Sequence, residues 1–164
     1  MNDLAFMEIA HEIKALHNGA LKCIARRNFA EAEKLYQKCL QITVLISYHE
    51  GSAITLFSMA NLASLEENLI LAIRRAEEAR ECFFKAALRH DECEALLGRL
   101  AAAAKKHGVA LERSHRFNEA IDHFNAAIPH ADETGSSAMR HEVALLRRIL
   151  DERNGTDSRR ASAA

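Results

Sequence analysis

Tryptophan is absent from this sequence, proline occurs once and glycine only six times. Helices therefore meet few interruptions, since proline removes a ladder donor and glycine weakens a helix interior. An excess of charge is missing too: 22 basic residues face 23 acidic ones, for a formal net charge of −1. Nucleic-acid binders carry a basic surplus, so this balance argues against that class. No apolar run approaches the ~20 residues of a membrane span; runs such as Val44-Leu-Ile46 and Leu69-Ile-Leu-Ala-Ile73 fall far short. Met1-Asn2-Asp3-Leu4 shows no basic segment leading into an apolar one, so no secretory signal is expected. Cys23, Cys39, Cys82 and Cys93 form no C-x-x-C pair. Three of them fall at apolar helix positions, where a free thiol behaves as a small hydrophobe. A reducing cytoplasm is the expected compartment.

Apolar residues make up 49% of the 164 positions, enough for a buried core in one domain, here read as residues 1–153. Strand alternation is nowhere convincing, and the expected fold class is all-α. Periodicity predicts helices over residues 3–26, 28–46, 52–65, 68–88, 92–114, 116–128 and 137–153. Asp3 and Asn28 are expected caps, with Glu31 completing a capping-box-like start. Ser64-Leu-Glu-Glu67 and Asp91 with Glu94 read as further helix starts. His49-Glu-Gly-Ser52 and Asp132-Glu-Thr-Gly-Ser-Ser137 read as breaks. Residues 154–164, without an apolar face, are expected to be disordered.

One helical skeleton recurs. Phe29, Ala32, Tyr36 and Cys39 share offsets with Leu69, Ala72, Ala76 and Ala79, and with Phe117, Ala120, Phe124 and Ala127. Counting back, Leu16, Gly19, Ala20 and Cys23 match Leu56, Met59, Ala60 and Ala63, then Ala104, His107, Gly108 and Leu111. This pattern, over about residues 13–130, resembles the tetratricopeptide (TPR) repeat, with Gly108 … Arg116-Phe-Asn-Glu-Ala-Ile121 closest to the family. The spacing departs from it: Phe29 to Leu69 is 40 residues and Leu69 to Phe117 is 48, against a family period of about 34. The surplus is expected to lengthen helices rather than loops. The resemblance implies about three antiparallel hairpins stacked as a short right-handed superhelix, with the seventh helix as its cap.

It also implies a non-enzymatic protein-interaction module, a scaffold or adaptor holding a peptide or helix segment in a concave groove. Carried over residue by residue, the groove comprises Lys14, His17, Asn18 and Leu21; Phe57, Ser58, Asn61 and Leu65; and Lys105, Lys106, Val109 and Arg113. Apolar at one end and basic at the other, it suits an acidic amphipathic protein segment, with no nucleic acid or membrane as partner. The carboxylate clamp of chaperone-tail TPR proteins is not expected. Only Lys106 and Asn61 fit it, and Leu21 and Ala102 stand where polar groups are needed.

Catalytic, metal and cofactor sites are not expected. His123 and His130 are seven apart with Glu119 one turn before, but Pro129 interrupts the helix between them and no third ligand is fixed. His90-Asp-Glu-Cys93 coincides with a helix start that needs capping residues. No phosphate loop, H-E-x-x-H or G-x-S-x-G is present. Two alternatives compete. Residues 1–46 loosely resemble the opening hairpin of helical sugar-phosphotransfer subunits of the lactose type, which would mean a phosphocarrier or small enzyme. That chemistry needs an exposed mid-helix histidine, and Ser58-Met-Ala-Asn61 offers none. A structural homo-oligomer, such as a homodimer, would instead use the apolar side Val143, Leu146, Ile149 and Leu150 of the last helix.

Overall fold

The computed structural model describes residues 3–161, with side chains described between Phe6 and Gly155. Seven α-helices run through them: α1 (Asp3–Ala25), α2 (Phe29–Leu45), α3 (His49–Leu65), α4 (Leu69–Lys85), α5 (Asp91–Arg113), α6 (Phe117–Ala127) and α7 (Glu133–Ala161). A 3-10 turn, Ile128–His130, follows α6 and contains Pro129. The fold is all-α, with no strand among the described residues, and no described helix is long and apolar enough to cross a membrane. The chain divides into two compact units, Met1–Leu97 and Gly98–Ala164, with the boundary inside α5.

One turn geometry ends five of the helices. Arg27, Ser47, Glu67, Ala87 and His115 all take the left-handed conformation, with φ between 55 and 60°. The amide of the following residue donates to the carbonyl five positions back in each: Asn28 to Cys23, Tyr48 to Thr43, Asn68 to Ala63, Leu88 to Phe83 and Arg116 to Leu111, at 2.8–3.1 Å. The left-handed residue itself donates three positions back, as Arg27 does to Ile24 at 2.8 Å. This is a Schellman closure, which satisfies orphan carbonyls of the last turn. It is usually made by glycine, and none of these five residues is one. The first four lie 20 positions apart, and α2, α3 and α4 are each 17 residues long. The 40-residue spacing of the skeleton is therefore two equal helix-and-turn units. Its growth to 48 comes from the 23 residues of α5 and the longer α4–α5 link. The surplus over the tetratricopeptide length lies mainly in the helices.

Several boundaries differ from the sequence reading, each for a local reason. Asn28 caps α2 as expected, its Oδ1 accepting from the Glu31 amide, but the Glu31 carboxylate turns to Lys34 at 3.3 Å. The cap of α4 is Asn68, which accepts from Leu71, while Ser64 to Glu67 close α3. Helix α3 starts at His49 because Gly51 is an interior packing residue: a Cβ there would meet the Tyr48 ring at 2.4 Å. Asp132 likewise begins α7 where a loop was expected, Oδ1 accepting from the Gly135 amide at 2.6 Å. At the other end α7 continues to Ala161, so residues 154–161 are helical rather than disordered. Gly155 has no positive φ and does not terminate the helix. Residues 162–164, and the side chain of Asp3, lie outside the described set.

In the first unit neighbouring helices pack in sequence, α1 on α2, α2 on α3 and α3 on α4. Their contact faces are rich in alanine, with Ala20, Ala32, Ala53, Ala60, Ala63, Ala72, Ala76 and Ala79 fully buried. Such short side chains bring helix axes toward the close end of the 8–10 Å range. Tyr36, Met59 and Leu62 fill the remaining volume beside Phe29 and Leu35. A polar seam crosses this core. Ser52 donates to Thr43 at 2.9 Å, Thr55 donates to the Gly51 carbonyl at 2.7 Å, and Cys39 lies 3.3 Å from the Thr55 hydroxyl. Arg75 of α4 grips the Glu33 carboxylate of α2 through both terminal nitrogens and also donates to the Met59 carbonyl of α3 at 3.3 Å.

In the second unit α6 packs against α7. Phe124 lies against Gly108, where a Cβ would sit 2.8 Å from its ring. The Arg153 guanidinium covers the Phe117 ring at 5.1 Å. Val143 and Leu146 are buried within this unit, and Ile149 and Leu150 are half-buried. The α7 side proposed above as a dimer face is thus largely occupied inside the chain.

Candidate partner-binding surfaces

The twelve groove residues fall on three helices, and the structure treats them differently. On α1, Lys14, Asn18 and Leu21 are exposed. His17 is not a free groove contact: its Nε2 is 3.0 Å from the Thr55 hydroxyl and its ring meets Tyr36 edge-on at 5.2 Å. Burial pushes its pKa below the ordinary value for imidazole. The reason is geometric: α1 packs on α2, where Tyr36 lies, and the His17 side chain reaches across to Thr55 of α3. Burial also raises the Tyr36 phenol, a shift partly offset by a hydrogen bond with Ser58.

On α3, Ser58 donates to the Ile54 carbonyl at 2.9 Å and Asn61 to the Phe57 carbonyl at 3.0 Å. Asn61 thus bonds back to its own helix, as asparagine inside helices often does, and Ser58 does so while also pairing with Tyr36 of α2. Leu65 is exposed near the end of α3. Phe57 is half-buried and lines a cavity of about 450 Å³ with Ile54, Phe83, Arg89, His90, Asp91, Glu92 and Cys93. Ile54 and the two phenylalanines make an apolar wall, and the start of α5 supplies a charged rim. A smaller cavity of about 320 Å³ lies on the other side of His90, lined by Arg80, Glu81, Phe84 and Lys85. Phe84 is 79% exposed there.

Phe57 is one of the groove positions carried over from the repeat pattern; Ile54, Phe83 and the α5 start, which surround it in the structure, are not among them. Asp91 and its neighbours were assigned to capping, and the Glu94 amide does donate to the His90 carbonyl at 3.0 Å. Capping and lining a cavity are compatible, because a helix start presents its first side chains to whatever lies beside the preceding loop. The 20-residue period was the signal available: it places Phe83 at the position that Thr43 and Ala63 hold in the earlier helices.

Lys105, Lys106, Val109 and Arg113 all lie on α5. With Ala102 and Ala110 they line a depression of about 430 Å³ along α5 in the second unit.

Other reactive groups are turned inward. Cys93 donates to the Ala76 carbonyl at 3.0 Å, and burial pushes its pKa up to about 11. Burial raises the Cys39 and Cys82 thiols too. A thiolate nucleophile needs the opposite shift. His123 holds the Glu119 carbonyl through Nδ1 at 2.8 Å, and its ring lies 4.8 Å from that of His107, a neighbour not evident from the sequence. Glu119 is clamped by Arg116. Among the described residues, no three histidine, cysteine, aspartate or glutamate side chains form a group able to hold a metal. No protein-family model, curated protein or solved structure matches this chain.

Proposed function

We propose that this chain is a non-enzymatic protein-interaction module of the scaffold or adaptor type, which holds a peptide or helix segment of a partner. The observation that carries this reading is the cavity beside Phe57. Its wall is apolar, its volume of about 450 Å³ admits a large apolar side chain, and its rim carries both signs of charge. Partner segments are anchored in this way, by one or two buried side chains surrounded by polar contacts of small net worth. Leu21 and Leu65 add exposed apolar area on α1 and α3.

Kinship with the tetratricopeptide architecture is the finer part of the proposal. Repeated hairpins, and fully buried alanines at Ala20 and Ala60, support it. The 20-residue unit is longer than half of the family's ~34-residue period, which makes this a lengthened variant.

Replacing Phe57 by alanine tests the reading. Loss of one large anchor weakens capture of a protein partner about tenfold or more, with helicity by circular dichroism unchanged. Affinity purification of parent and variant followed by mass spectrometry gives the comparison. Equal recovery of every partner by parent and Phe57→Ala contradicts the assignment.

A further inference from the structure

The depression along α5 has a construction that selects its occupant. Its six lining residues form two rows of i, i+4 spacing: Ala102, Lys106 and Ala110 in one, Lys105, Val109 and Arg113 in the other. Adjacent rows of this kind are the ridges of a helix, and the space between them is the groove that receives a ridge of a second helix. Ala102 and Ala110 are exposed and short, so one wall is low and a second backbone can approach closely. Lys105, Lys106 and Arg113 are exposed, and none of them forms a salt bridge among the described residues. The carboxylate next in sequence, Glu112, has its pKa raised by burial and then by the neighbouring Glu142, with Arg113 acting in the opposite direction.

We infer that this α5 face docks one acidic amphipathic helix of a partner protein. The partner places a ridge of small or aliphatic side chains between the two rows. Its carboxylates stand about two turns apart, on the order of 10–12 Å, to meet the lysine pair at one end and Arg113 at the other. This names the chemistry of a partner and rests on the reading of the chain as a protein-segment binder. Charge complementarity sets orientation and on-rate, and the methyl groups and Val109 supply the buried area. A nucleic acid is a poorer fit, since the face offers no aromatic side chain on which a base stacks. A membrane surface is also poorer, since interfacial helices insert large apolar side chains that this face lacks.

The test uses the full chain and a fluorescent 20-residue peptide with alanine and leucine on one ridge and glutamates seven positions apart. Binding by anisotropy is expected to weaken about tenfold in the variant Lys105→Glu/Arg113→Glu and to fall as salt rises. A peptide with lysine in place of each glutamate is expected to bind that variant better than it binds the parent. This reciprocal gain is not produced by a misfolded variant. The inference is overturned if the acidic peptide does not bind, if a scrambled peptide of equal composition binds as well, or if charge reversal leaves binding unchanged. It is also overturned if polyuridylate RNA or phosphatidylserine vesicles are held more tightly at this face. Phe57→Ala reports separately on the cavity in the first unit, so loss of one surface is distinguished from loss of both.

Discussion

Gly98 and Gly108 share helix α5, yet opposite outcomes are expected from the same substitution. A Cβ at Gly98 meets nothing within 4 Å. Gly98→Ala should stabilise the chain by about 1 kcal/mol, the ordinary gain of alanine over glycine in a helix. A Cβ at Gly108 would lie 2.8 and 3.0 Å from two ring atoms of Phe124, which is 2% exposed and cannot swing aside. Gly108→Ala should therefore destabilise by about 1–3 kcal/mol through overpacking. Urea midpoints of the two variants check both signs. His17 gives a prediction in pH. Its folded pKa is lowered by burial, so the unfolded chain binds its proton more readily. The stability it contributes is present above its unfolded pKa of about 6.5 and is lost as pH falls through that value toward the folded pKa. Thr55, Tyr36 and Cys39 are the groups around it, and none supplies a negative charge at neutral pH. His17→Gln should flatten part of the acid slope in thermal melts between pH 7 and 5, and an unchanged slope would place the pH dependence elsewhere.

At the scale of elements, the turns and the Arg75 clamp fix how neighbouring helices meet. Ala87 holds φ at 56°. A left-handed conformation costs an L-residue roughly 1–2 kcal/mol, so Ala87→Gly should raise stability by about 1 kcal/mol despite the greater freedom of glycine in the unfolded state. A fall in Tm would show that the turn is held by something other than its local hydrogen bonds. Glu33→Ala leaves the guanidinium of Arg75 largely buried without its carboxylate, in a place where three helices converge. A loss of about 2–3 kcal/mol is expected, the scale of a hydrogen-bonded charged group left unpaired. The helices themselves were legible in the sequence because their apolar faces repeat. The turns were less so, because the left-handed residues are arginine, serine, glutamate, alanine and histidine, which carry no glycine signature. The breaks read at Gly51 and Gly135 failed for the opposite reason: these glycines serve close packing and a capped first turn inside helices.

For the molecule as a whole, the all-α class and the sequential packing of hairpins were readable from the recurring skeleton at Phe29, Leu69 and Phe117. The boundary between the two units falls inside α5, where no proline, charge run or composition shift marks it. Nor did the repeat positions distinguish His17, drawn into the core by Thr55 and Tyr36, from Lys14 and Leu21 beside it. The proposed function depends on the α3 face around Phe57 being where a partner sits. Photo-crosslinking tests this most directly, with benzoylphenylalanine placed at Phe57, at Leu65, or at Lys38, an exposed position of α2. Adducts to one partner protein are expected from positions 57 and 65 and not from 38. A partner that crosslinks from 38 and from neither α3 position would contradict the account.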